Sequence, residues 1–135
     1  MIAIITGDII NSEEHNASEW IDMLKKQLSK WGETPSDWEI YRGDEFQLKI
    51  ALKNALWAAI QIKAVIKSIK DLDVRMAIGV GSESFKGTSV SESNGTAYQR
   101  SGRVFENLKE EKLNLAIATG NEKENQALDK PNKQN

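Results

Sequence analysis

Two aspartates carry most of the chemical potential of this sequence. Asp8 follows an apolar, β-branched run at residues 2–6, and Asp44 sits in the turn Arg42-Gly43-Asp44 between two short strand candidates. If the fold brings those places together, the carboxylates repel and raise each other's proton affinity unless a cation lies between them. Oxygen-only donors suit a hard divalent ion, Mg²⁺ or Mn²⁺, with the carbonyl of Ile9 as a further ligand and Glu45 in reserve. The structural alternative is that Asp44 makes the turn and Asp8 accepts backbone hydrogen bonds beyond a strand end. Several other chemistries are excluded. The absence of Cys removes a disulfide framework, a thiolate zinc site and a Cys nucleophile together. The single His, His15, lies in the polar stretch Ser12-Glu13-Glu14-His15-Asn16, as a proton shuttle or as an exposed loop residue. Gly79-Val80-Gly81 closes a strand without the third Gly or the following helix of a dinucleotide fingerprint, and there is no glycine-rich P-loop.

The elements that must position the two aspartates follow from periodicity. Residues 2–6 read as a central strand ending at Gly7-Asp8. Trp20, Ile21, Leu24, Leu28 and Trp31 share one helical stripe over residues 18–31, with Asn16 or Ser18 as N-cap and Gly32 as stop. Residues 38–41 form a short strand. After the Gly-Asp turn, Phe46, Leu48 and Ile50 alternate with polar neighbours, which makes a hairpin. Leu56, Ile60, Lys63, Ile66 and Ile69 define a second, well-buried helix over residues 54–70. Val74, Met76, Ile78 and Val80 alternate with Arg75, Ala77 and Gly79 and predict a half-buried strand ending at Gly81. Residues 82–94 are a loop that carries a turn or short strand. A third helix over residues 97–112 has Val104, Phe105 and Leu108 on one face, and Leu115 with Ile117 suggests a last strand. Trp20, Trp31 and Trp57 fall on helix faces as core or interface anchors. The order strand, helix, strand, strand, helix, strand is the βαββαβ pattern of an α+β ferredoxin-like sandwich, with a helix and strand appended. In it the third strand lies between the first and second, so Asp8 and Asp44 meet at one sheet end.

Composition bounds the rest. A chain of 135 residues, 39% apolar and 28% charged, is one folded domain, here residues 1–120 followed by a polar tail at 121–135 that reads as disordered or as a linker. Eighteen Lys and Arg against 20 Asp and Glu give a net charge of -2, without the basic excess that drives direct nucleic-acid binding. No apolar stretch approaches the roughly 20 residues of a membrane span, and the expected location is the cytoplasm.

The same residues resemble a family. Asp8-Ile9 after an aliphatic run, with the hairpin Arg42-Gly43-Asp44-Glu45-Phe46, is similar to the palm-type nucleotide cyclases, and the hairpin differs from the GGDEF diguanylate cyclase signature only in its first residue. Val74-Arg75-Met76-Ala77-Ile78-Gly79-Val80-Gly81 resembles the strand of class III adenylyl and guanylyl cyclases that precedes their helix of catalytic Asn and Arg. Gly95-Thr96-Ala97-Tyr98-Gln99-Arg100-Ser101-Gly102-Arg103 follows the spacing of that helix, with the amide on Gln99 and the Arg on Arg103. Within the palm group, Ile5-Thr6-Gly7-Asp8-Ile9-Ile10-Asn11-Ser12 and Ser91-Glu92-Ser93-Asn94-Gly95 most resemble the SatD family, whose longer members look like a palm-type domain followed by a small helical module of DNA-binding type.

The resemblance implies a ferredoxin-like sandwich of the nucleotide-cyclase palm type. It implies that Asp8, Asp44 and the Ile9 carbonyl ligate Mg²⁺ or Mn²⁺ on a nucleoside triphosphate and lower the pKa of an attacking 3'-hydroxyl. Arg103 would contact phosphates and Gln99 the ribose, both from the partner subunit of a head-to-tail homodimer. The backbone amides of Ile10, Asn11 and Ser12 would cradle phosphates, and Glu92 takes the place of the acidic residue that contacts the base. The chain also departs from the pattern. The adenine-selecting Lys falls on apolar Ile40, Gln99 is one methylene longer than Asn, and the guanine-binding polar residues have no counterpart. The expectation is a nucleotide-binding palm domain with a divalent-metal site, divergent from cyclases and serving regulation or sensing. The alternative is an active Mg²⁺-dependent nucleotidyl cyclase or related phosphoryl-transfer enzyme.

Overall fold

The structure, a computed structural model, describes residues 1–41 and 43–120. The expectation of a disordered tail therefore falls on residues outside the described ones. Five strands form one mixed sheet: β1 (Ile2–Ile10), β2 (Trp38–Tyr41), β3 (Glu45–Ala51), β4 (Asp73–Gly81) and β5 (Leu115–Ala118), in the order β2-β3-β1-β4-β5. β3 lies between β1 and β2 and is antiparallel to both, β4 is antiparallel to β1 on its other edge, and β5 is parallel to β4. Three α-helices complete the fold: α1 (Ile21–Ser29), α2 (Ala55–Lys67) and α3 (Thr96–Glu111). The first four strands with α1 and α2 have the order of a ferredoxin-like α+β fold, and α3 with β5 is appended to it.

Side-chain alternation divides the core between the sheet's two faces. Ala3, Ile5 and Ile9 of β1 pack with Phe46, Leu48, Met76 and Ile78 against Leu24, Leu28, Ile62 and Ile66 of α1 and α2. Ile4 packs on the opposite face with Ala97 and Tyr98 of α3, while Ala77 and Ala116 meet Phe105 and Leu108. β4 is buried on both sides from Met76 to Gly81, not half-buried as its alternation predicts, because α2 covers one face and α3 the other.

Three further expectations change. β1 does not stop before Gly7-Asp8. Its neighbours β3 and β4 continue far enough to pair with it, so Asp8 lies within the strand opposite Glu45 and Arg75. Asn16 does act as an N-cap, in a capping box with Glu19, yet it caps a short 3-10 turn at Ala17–Glu19 that precedes α1. On α2, Leu56 and Ile60 are solvent-exposed at 44% and 46%, and the buried face is Ala55, Ala58, Ala59, Ile62 and Ile66. Small Ala side chains let the helix approach the sheet closely, which turns the larger residues Leu56, Trp57 and Ile60 outward. Among the described residues, no helix is long and apolar enough to cross a membrane.

The backbone of α3 approaches the sheet closely at Gly79. A Cβ there would overlap the Ala97 carbonyl oxygen and the Ser101 amide nitrogen, both backbone atoms of α3. Gly79→Ala should therefore lower stability by about 1–3 kcal/mol through overpacking, read as a lower denaturant midpoint. Trp57→Gln, on the 57% exposed side of α2, should stay within about 0.5 kcal/mol of wild type.

Candidate functional site

Register places four polar side chains in one row across the sheet. Tyr41 of β2 faces Glu45 of β3, Glu45 faces Asp8 of β1, and Asp8 faces Arg75 of β4. Directly paired residues share a face, and here it is the face that α3 covers in part, since Thr6, two residues before Asp8, meets Ser101 of α3 at 3.0 Å between hydroxyls. The next row toward the sheet's other end holds Glu39, Gln47 and Thr6, with the Tyr41 hydroxyl donating to Gln47 Oε1 at 3.3 Å.

Asp44 lies beside this row, in the turn that precedes Glu45. Gly43 adopts φ 80, a left-handed conformation that Gly accepts without strain, and this closes the β2–β3 turn. The Ile9 amide donates to the Asp44 carbonyl at 3.1 Å, which ties the turn to β1 beside Asp8. The Ser12 hydroxyl donates to Asp44 Oδ2 at 2.8 Å. Ser12 begins a short 3-10 turn after Asn11, which is left-handed at φ 68 and donates from its side chain to the Asp71 carbonyl at 2.9 Å. Ile10 is the last residue of β1, opposite Asp73. Residues 10–12 thus curl past the Asp44 carboxylate.

Asp8 is held by Arg75. Nη1 lies 3.1 Å from Oδ2 and 3.3 Å from Oδ1, and the two side chains are only 16% and 20% exposed. Burial pushes the Asp8 carboxyl above its ordinary value. Arg75 and Lys109 oppose that shift, while the charges of Asp44 and Glu45 add to it. Among the described residues no group of three or more His, Cys, Asp or Glu side chains could hold a metal ion. The carboxylates whose charge reaches Asp8 are those of Asp44 and Glu45.

The remaining predicted residues lie elsewhere. Gln99 and Arg103 are both exposed on α3, one turn apart on its outer stripe, while Ala97, Tyr98, Ser101 and Phe105 face the sheet. Lys109, further along α3, is the helix residue whose charge reaches Asp8. Glu92 closes a 3-10 turn at Val90–Glu92 in the loop that drapes over β2 and β3. Its exposed carboxylate accepts from Thr88 at 2.6 Å and Ser89 at 3.1 Å, and these bonds lower its pKa. Ile40 packs into the α1 and α2 core, on the face opposite Asp8. Glu39 and Tyr41 on either side of it are the β2 residues on the Asp8 face. His15 pairs with Glu19 at 3.1 Å. Arg75, Tyr41, Gln47 and Glu39 were not singled out by residue type. Their signal lies in register, because the only charge between Val74 and Gly81 must face its partner across β1.

No protein-family model matches this chain, and no curated protein matches it.

A raised carboxyl pKa has a definite sign in stability. The native state binds the Asp8 proton more readily than the unfolded chain, so stability is full below the ordinary Asp value and falls as pH rises through the native value. Asp8→Asn removes that loss. Leaving Arg75 without its partner adds only a pH-independent offset, so the slope is the readout. Urea unfolding stepped from about pH 3.5 to about pH 7 should show the variant gaining on wild type as pH rises. A flat or falling difference would contradict the burial argument.

Proposed function

We propose that this chain is a nucleotide-binding domain of the cyclase palm type, divergent from the cyclases and serving to sense a nucleotide rather than to convert it. The observation that carries this reading is the meeting of Asp8 and Asp44 at one sheet end, where the Asp44 backbone is bonded to Ile9 and its carboxylate to Ser12. The donor set is all oxygen and anionic, which fits Mg²⁺ or Mn²⁺ bound together with phosphates rather than a metal held by protein ligands alone. Such a cation, when bound, would neutralise the phosphate charge and polarise the phosphoryl oxygens. The residues of the chain do the rest. Asp8 and Asp44 supply the carboxylates, the turn at residues 10–12 offers amides to phosphate, and the sheet face beyond α3 offers half-buried Tyr41 and Gln47 to the nucleoside. Ile40 facing the core leaves the adenine-selecting position without a polar group, which supports sensing over turnover.

A second reading is an active nucleotidyl cyclase in a head-to-tail homodimer. It is favoured by Gln99 and Arg103, which share an exposed stripe of α3 and are open to a ligand on another copy.

Calorimetric titration with each nucleoside triphosphate, with and without Mn²⁺, tests both readings when followed by product analysis. The expected result is Mn²⁺-dependent binding, absent in Asp8→Asn and Asp44→Asn, with the triphosphate recovered intact. Cyclic product would establish the second reading, and no binding with or without metal would overturn both. Under the dimer reading, Arg103→Ala should lose roughly 1.5–3 kcal/mol of triphosphate affinity while the fold stays intact.

A further inference from the structure

The Asp8 carboxylate already has a cationic partner within its own sheet. Arg75 stands directly opposite it in the β1–β4 register, so the pairing is built into the strands. The geometry is lopsided. A single nitrogen, Nη1, serves both carboxylate oxygens at 3.1 and 3.3 Å, and Nε is buried without a hydrogen-bond partner among the described residues. A guanidinium that engaged Asp8 for structure alone would be expected to present two nitrogens in parallel, because that fork is the stronger arrangement. Here the fork is only partly used. Both Asp8 oxygens are turned to Nη1, so a cation bound at Asp8 would compete with Arg75 for the same carboxylate charge. The surroundings favour the exchange. Asp44 and Glu45 repel Asp8, and one guanidinium at the edge of this acidic group neutralises it less fully than a divalent ion at its centre.

We infer that Arg75 is the built-in counter-ion of Asp8, displaced by a divalent cation and then free to bind the phosphates that arrive with it. This rests on the metal-dependent nucleotide reading above and adds to it a residue that faces phosphate from within the same chain. In the absence of nucleotide, Arg75 competes with the cation, so bare metal binds weakly. With nucleotide present, the same side chain becomes a favourable contact, since a guanidinium matches phosphate geometry. Metal and nucleotide binding are thereby made cooperative through one residue.

The two roles predict opposite signs for one substitution. In Arg75→Gln, the affinity for Mn²⁺ alone, followed by paramagnetic resonance of the free ion, should rise roughly tenfold because a competing charge is gone. The affinity for a non-hydrolysable nucleoside triphosphate at saturating Mn²⁺ should fall roughly tenfold or more. Opposite changes cannot arise from a damaged fold. Arg75→Lys keeps the charge and loses the fork, so it should hold Mn²⁺ affinity near wild type while weakening the triphosphate, and it carries the test if Arg75→Gln does not fold. Equal Mn²⁺ affinity in wild type and Arg75→Gln overturns the counter-ion role and leaves the metal reading standing. Loss of both affinities together makes Arg75 a structural support and overturns the inference. No Mn²⁺ binding to any of the three proteins overturns the inference and the metal reading alike.

Discussion

β1 is paired along both edges for nearly its whole length, to β3 from Ile2 to Asp8 and to β4 from Ile2 to Ile10. A one-residue slip in either pairing would move its apolar set from one face to the other. Ala3, Ile5 and Ile9 would then leave the α1 and α2 core, and Ile4 would leave the contact with Ala97 and Tyr98. The register is therefore fixed by two cores at once. The polar row Tyr41, Glu45, Asp8 and Arg75 follows from that constraint, because each of its members is opposite the next only in this register. Packing chosen by apolar residues thus delivers charged residues to a defined place.

The two faces of the sheet are covered unequally, and the site occupies the difference. α1 and α2 close one face with a continuous core. α3 lies over β4, β1 and β5 and leaves the part of the sheet built by β2 and β3 to the loop at residues 82–94. Where α3 is close, small residues make room: Gly79 admits its backbone, and Thr6 and Ser101 exchange a hydroxyl bond in place of bulk. Beyond α3, half-buried Glu39, Tyr41, Gln47 and Lys49 lie under that loop, and Glu39 accepts from the Ser91 amide at 3.0 Å. Lys49 is held there by Glu83 at 3.4 Å, which also accepts from Tyr98, whose phenol is raised in pKa by burial and by that carboxylate. The face grades from an acidic end at Asp8 and Asp44 to a neutralised, hydrogen-bonded end at Lys49.

Much of this was legible in the sequence because it depends on local rules. Period-two alternation marks Phe46, Leu48 and Ile50, the Gly43-Asp44 turn joins β2 to β3, and the order of elements leads to β3 between β1 and β2. Three features were not legible, each for its own reason. The end of β1 is set by the length of its partners, which lie more than 30 residues away in sequence. The buried face of α2 is hidden in the sequence because large apolar residues signal burial more strongly than Ala, yet close approach to a sheet favours the small ones. Arg75 looked like an outward residue of a half-buried strand. Only the pairing with β1 turns it into the partner of Asp8, and pairing is a tertiary fact.

The double pairing of β1 also sets the order in which the molecule can be completed. Its lateral partners lie at residues 45–51 and 73–81, so β1 has no second edge until β4 has been synthesised. Until then, Ile2, Ile4 and Ile5 and one row of backbone donors and acceptors are open to other chains, the condition under which unpaired strands associate wrongly. Sheet closure must also meet the loop entropy of joining strands so distant in sequence, which places the fold among slower folders than helical domains of equal size. The hairpin of β2 and β3, with its short turn, can form first and offer β1 one edge. The turn that carries Asp44 can meet β1 from that stage, while Arg75 on β4 reaches Asp8 only when the second edge closes.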